Sequence, residues 1–148
     1  MPEQSTIRRA NKDRAEGKSA STQAGEFVRE EIHHIREGKH GARSTKQAIA
    51  IGLSKARRAG VKLTPPRPGT VSRKTRRSAE QAYEKGQRHA PVSAKRSRAS
   101  EKALKHEGRQ AASRTALSRQ ARGAARKRTA NDRSRSARQA AETREMNE

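Results

Sequence analysis

The chain has 148 residues, with 37 Lys and Arg against 15 Asp and Glu, a net charge of +22, one Phe, one Tyr and no Trp. Its apolar content of 28%, against the ~45–50% of an ordinary globular chain, excludes a core of large side chains running its whole length. So much charge of one sign repels itself unless a polyanion accompanies it, and the absence of cysteine excludes disulfides and thiolate metal sites.

Residues 1–20 read as a basic N-terminal arm. No apolar run follows Met1-Pro2-Glu3-Gln4, so no secretory signal is expected, and no window approaches the ~18 apolar residues that span a bilayer. The expected location is the cytoplasm, with no membrane partner.

Residues 21–63 hold most of the large apolar side chains and predict a helical hairpin. Ala24, Phe27, Val28, Ile32 and Ile35 follow helical spacing from about Thr22 to Glu37, after a Ser21 or Thr22 cap. Gly38 is the expected stop. The second helix opens at Ser44, where Ser44-Thr45-Lys46-Gln47 has the form of a capping box. Ile49, Leu53 and Ala56 form its expected apolar face. Ala48, Gly52 and Ala59 form a neighbouring strip of small residues that lets another backbone approach. Gly60 suits the C-terminal cap, with Val61 and Leu63 folding back as a cover. Such a hairpin is close to the lower size limit for independent folding and predicts dimerisation or a partner.

Residues 64–71 form a proline-rich linker, since Pro65, Pro66 and Pro68 allow no helix to continue. Beyond it, residues 72–148 read as a basic tail rich in Ala, Arg and Ser. Residues 1–69 carry 15 basic and 7 acidic side chains, and residues 70–148 carry 22 and 8. Weak helices are expected near 73–87, 94–107, 113–128 and 131–145. Their faces are mostly Ala, and isolated helices of that length are marginal in water. The fold class expected from these segments is all-α: a small hairpin at about 21–63 followed by a weakly helical or disordered tail. A 13-residue register aligns Ser100-Glu101-Lys102-Ala103-Leu104 with Ser113-Arg114-Thr115-Ala116-Leu117 and suggests a duplicated tail unit.

The charge pattern points to nucleic acid. Arg73, Lys74, Arg76 and Arg77, then Lys95, Arg96 and Arg98, then Arg126, Lys127 and Arg128 are the densest clusters. Cations near phosphates release condensed counterions and give affinity without reading sequence. Of the 37 basic residues 25 are Arg, whose planar fork suits bidentate phosphate contact. Arg43, Lys46, Arg57 and Arg58 surround the second hairpin helix and are candidates of the same kind. Stacking on single strands needs aromatic platforms, and Phe27 and Tyr83 are the only aromatic residues. Duplex DNA is therefore favoured, with structured RNA as the alternative polyanion.

Other chemistry finds little support. His33, His34 and His40 are near one another, but His33 and His34 diverge on a helix, and no Cys or i,i+4 His pair accompanies them. No metal site and no cofactor is expected. The Glu residues read as helix salt-bridge partners. Neither a phosphate-cradling glycine loop nor a nucleophile elbow is present, so no enzyme is expected.

The stretch Lys39-His40-Gly41-Ala42-Arg43-Ser44-Thr45-Lys46-Gln47-Ala48-Ile49-Ala50-Ile51-Gly52-Leu53-Ser54-Lys55-Ala56-Arg57-Arg58-Ala59-Gly60 resembles a family of small basic bacterial proteins with a domain of unknown function. The resemblance covers about residues 20–63 and implies a bacterial source and a helical module, with no activity attached. The tail is similar to histone-like tails in composition only. The function expected is nonspecific, electrostatic DNA binding of nucleoid type, with the hairpin mediating dimerisation or partner contact. An RNA- or ribosome-associated protein, or an adaptor with a basic tether, is the alternative.

Overall fold

Seven α-helices and one 3-10 turn, with no strand, make up the computed structural model, which describes residues 1–148. The helices are α1 (Gln4–Ala15), α2 (Ala20–Arg36), α3 (Thr45–Arg58), α4 (Arg73–Gln87), α5 (Ala94–Lys105), α6 (Arg114–Lys127) and α7 (Ala130–Met146); the 3-10 turn is Gln110–Ala112. None is long and apolar enough to cross a membrane.

Local sequence explains where these helices begin. The side-chain oxygens of Ser19, Ser44, Ser72, Ser93, Ser113 and Thr129 each accept from the backbone N–H three residues on, satisfying one orphan donor of the first turn. At α7 the box is complete, because Asp132 Oδ2 accepts from Thr129 N at 3.2 Å. At α3 the returning bond is displaced by one residue: Gln47 Oε1 accepts from Arg43 N at 2.6 Å. Helices α2 and α3 stop at glycines of positive φ, Gly38 (77°) and Gly60 (93°). Lys39 N then bonds His34 O, and Val61 N bonds Ala56 O, both in the Schellman pattern.

The α2–α3 pair is the centre of the molecule. Gly52 is what lets the two helices meet, since a Cβ there would lie 2.6 Å from Val28 Cα. The buried stripe of α3 is accordingly Thr45, Ala48, Gly52 and Ala56; of the expected apolar face Ala56 is buried, whereas Ile49 and Leu53 are only half-buried. Two apolar clusters lie along this pair. One joins Ala10, Ala24, Phe27, Ala56 and Val61, with Leu63 packed against it. The other joins Ile32, Ile35, Ala42, Ala48, Ala111 and Ala112. The first 20 residues do more than carry charge: α1 packs on α2 and buries Thr6, Ala10 and Asp13, one face of its helix.

The expected weakly helical or disordered tail is corrected by the structure. Residues 72–148 form four capped helices, and part of them completes the core. Helix α4 packs on α3 through Ala79, Ala82 and Gly86, and a Cβ on Gly86 would lie 1.7 Å from Arg57 O. The 3-10 turn drives Ala111 and Ala112 between α2 and α3, with Leu117 of α6 packed beside them. Backbone bonds reinforce this docking: Gly41 N to Leu104 O at 2.9 Å and Ala42 N to Gly108 O at 3.0 Å. Thr45 Oγ1 donates to Ala111 O at 2.7 Å, and Arg36 Nε to Ala112 O at 2.9 Å. The reason for the discrepancy is the size of the residues. The tail lacks large apolar side chains, but Ala and Gly bring backbones close enough for dispersion and hydrogen bonds to hold them.

Helices α5 and α7 bury no residue. Helix α7 meets the rest of the chain at the α1–α2 turn, where Asn147 Nδ2 donates to Glu16 O at 2.9 Å. The 13-residue register builds no repeated unit, since Ser100 lies inside α5 while Ser113 caps α6. The proline linker is held at both ends: Arg57 Nε donates to Leu63 O at 3.1 Å, and Arg76 Nε to Pro66 O at 3.2 Å.

Candidate nucleic-acid interface

Ion pairs divide the chain into two electrostatic regions. Up to residue 55 the carboxylates are engaged with nearby cations, as in Arg9–Glu26, Lys18–Asp13, Lys18–Glu16 and Lys55–Glu31. The pairs with Asp13 and Glu16 raise the Lys18 pKa, and the hydrogen bond from Lys18 lowers that of Glu16. Past residue 55 only Arg76–Glu80, Arg88–Glu84 and Lys105–Glu101 come within ion-pair distance. The remaining tail cations have no carboxylate partner.

The start of α4 is the densest cationic surface. Arg73 and Arg77 are one turn apart and exposed, with Lys74 beside them; together with Ser78 and Gln81 they line one hollow. A second hollow of about 590 Å³ lies between the linker and α4, where Arg73, Arg76 and Arg77 meet Pro68, Gly69 and Val71. Arg76 is half-buried and committed to Pro66 O and Glu80, so Arg73, Lys74 and Arg77 are the cations left to a ligand.

The starts of α5 and α6 share its chemistry. No acidic residue occupies the first turn of α4, α5 or α6. Arg73 and Lys74, Lys95 and Arg96, and Arg114 stand there instead. A helix N-terminus carries roughly half a positive charge, and acids normally offset it. Here cations add to it, which is unfavourable in isolation and favourable once a phosphate is present.

The other expected contacts are distributed as follows. Arg43 and Lys46 are exposed beside the start of α3, and Arg98 is exposed on α5. Arg126 and Lys127 close α6, while Arg128 donates to Asp132 O and Ser136 Oγ and ties α6 to α7. Arg58 is half-buried and donates to Pro91 O at 3.3 Å. Arg57 is 7% exposed and bonds Leu63 O and Thr64 O, and burial lowers its pKa. It holds the linker and has nothing to offer a phosphate. Arg114 was not singled out from the sequence, although Ser113 ahead of it marks a helix start.

One buried polar cluster also escaped the sequence reading. Glu31 of α2 is fully buried and accepts from Lys55 of α3, with His34 and His40 facing it. The signal was a carboxylate three residues ahead of a histidine on one helix, rather than a pair of histidines.

Among known proteins, no curated protein and no solved structure matches the chain. A family of unknown function (DUF6496) matches residues 14–67, from the end of α1 into the proline-rich linker, and stops short of α4.

Proposed function

We propose that this protein binds duplex DNA through its phosphates, without reading base sequence, and that it serves as a nucleoid-associated protein in a bacterial cytoplasm. The observation that carries this reading is the set of helix starts at α4, α5 and α6, each bearing unpaired cations where acids would be expected. Arg73, Lys74 and Arg77, Lys95 and Arg96, and Arg114 are the phosphate contacts, with Arg43, Lys46, Arg98, Arg126 and Lys127 adding to the field. Affinity comes from counterion release onto helices that are already formed. Dimerisation is no part of the proposal: within one chain α1 packs on α2 and α4 packs on α3. Catalysis has no part in the proposal.

The test is a salt titration with the full-length chain, using a fluorescent duplex and a structured RNA of equal charge. The duplex should bind with a steep salt slope, and R73A/K74A/R77A should flatten it by about 0.9 per lost phosphate contact. Binding that ignores salt, or a triple variant equal to wild type, would overturn the proposal. Preference for the RNA would replace DNA with RNA as the target.

A further inference from the structure

The cluster around Glu31 is an unusual combination of groups. Its carboxylate is 0% exposed. Lys55 occupies Oε1, while Oε2 has no hydrogen-bond donor. His40 Nε2 lies 3.1 Å from that Oε2, and His34 Nδ1 lies 4.0 Å from Oε1.

The hydrogen bonds on the far sides of the two rings decide what faces inward. His40 Nδ1 lies 2.9 Å from Gly41 O, and a carbonyl only accepts, so Nδ1 carries the proton. His34 Nε2 lies 3.0 Å from Glu3 Oε1, and an ionised carboxylate only accepts, so Nε2 donates. In the neutral rings, His40 Nε2 therefore turns a lone pair toward Glu31 Oε2, which has no donor, and His34 Nδ1 turns one toward Oε1, which Lys55 already serves. His40 Nε2 and Glu31 Oε2 thus face each other as two acceptors with no donor between them, and His34 Nδ1 is a third acceptor beside them. A backbone carbonyl and a carboxylate fix the outer nitrogens, the same arrangement that orients histidines on a metal.

We propose that Glu31, His34 and His40 form a binding site for a first-row divalent metal ion, with zinc as the best match. Two imidazoles and one carboxylate oxygen suit zinc, whereas magnesium and calcium take oxygen ligands. The three ligand atoms lie within 4.8 Å of one another. Tetrahedral zinc holds its N and O ligands roughly 3.4 Å apart, and rotation of the two side chains spans the difference. His34 and His40 keep 13% and 9% of their side chains exposed, leaving room for a fourth, solvent ligand. Charge is suitable as well. Glu3, Glu30 and Glu31 surround the rings, and Glu30 Oε1 is buried without a donor 4.0 Å from His34 Nε2. Lys55 and Lys39 pair with Glu31 and Glu3, so three carboxylates stand against two ammonium groups here, in a chain of net +22. A metal here would fasten the end of α2 to the loop whose Gly41 and Ala42 N–H groups hold the α5–α6 connection.

The experiment uses chelator-stripped full-length protein and Zn²⁺ alone, titrated at pH 7.5 against a metallochromic competitor. One zinc per chain is expected, weakened more than tenfold by H34Q or H40Q and unchanged by H33Q, since His33 is exposed. E3Q should weaken it by about tenfold, through the orientation of His34. Imidazole ¹⁵N NMR of the wild type gives a reading that no variant's misfolding can blur: zinc should shift His40 Nε2 and His34 Nδ1. Zinc bound equally by H34Q/H40Q, shifts confined to His33, His89 or His106, or a His40 ring found doubly protonated on Glu31 in the presence of zinc would each overturn the site.

Discussion

Replacing Gly86 by Ala tests whether α4 is truly packed on the hairpin, because two effects of known size oppose each other there. Helix propensity alone favours the change by about 0.8–1.0 kcal/mol. The packing forbids it, since the new Cβ would lie 1.7 Å from Arg57 O, and relief to the 3.0 Å limit needs a shift of at least about 1.3 Å. The obstacle is backbone, with Arg58 Cα only 3.1 Å away, so no side chain can yield. Overpacking costs ~1–3 kcal/mol, and the shift also uncovers the Ala79 and Ala82 methyls, at ~0.8 kcal/mol for each fully lost. A net destabilisation of about 1–3 kcal/mol is expected. Urea unfolding followed by tyrosine fluorescence reads it directly, because Tyr83 is the single Tyr and lies on α4. The control is Gly25→Ala in α2, where nothing lies within 4 Å of the new Cβ. That variant should gain about 0.8–1.0 kcal/mol. A Gly86→Ala protein as stable as wild type would refute the docking of α4 on α3.

Three further outcomes follow from the same geometry. Thr45→Val removes the buried donor to Ala111 O, and the stranded carbonyl should cost about 1–3 kcal/mol, read as faster proteolysis in the α5–α6 connection. Arg57→Ala frees the Leu63 and Thr64 carbonyls and should lower Tm measurably, while R73A/K74A/R77A, whose side chains are exposed, should leave Tm nearly unchanged; calorimetry of both separates the structural arginine from the proposed phosphate contacts. Asp132 has its carboxyl pKa lowered by hydrogen bonds from Thr129, first from the side chain and then from the backbone. Its folded value lies below its unfolded one, so the cap supports α7 above the ordinary aspartate range and is lost as pH falls through the folded value. The exchange protection factor of the Thr129 amide, taken against the intrinsic rate at each pH, should fall on acidification, and D132N should remove that acid dependence.

The helix starts from Ser44 onward were legible because they depend on a few adjacent atoms, whereas α1 was read as an arm and α2 is capped by Ser19 rather than by Ser21 or Thr22. Ser44, Ser72, Ser93 and Ser113 each precede a run of good helix formers, and the observed spans of α4 and α6 lie within a residue of those expected. The close approach at Gly52 was legible for a similar reason, since a glycine in mid-helix must be explained by what it touches. The docking of the tail was not. Ala111 and Ala112 look like any other alanines in an Ala-rich segment, and nothing local says that Ala42 and Ala48 complete their cluster. The Glu31 cluster was hidden for the same reason, with its members on α2, on the following loop and on α3.

By itself, then, the sequence determined the charge, the absence of thiol chemistry, the all-helical character and most helix boundaries, all of which follow from composition or from contacts within a turn. Tertiary structure alone decided which arginines are free. Arg57 and Arg73 are the same side chain in similar basic surroundings, yet one is buried against carbonyls of the linker and the other faces solvent. It also decided that residues beyond the prolines complete the core, because close packing of Ala and Gly depends on where backbones cross, and that is fixed only when all the helices are in place.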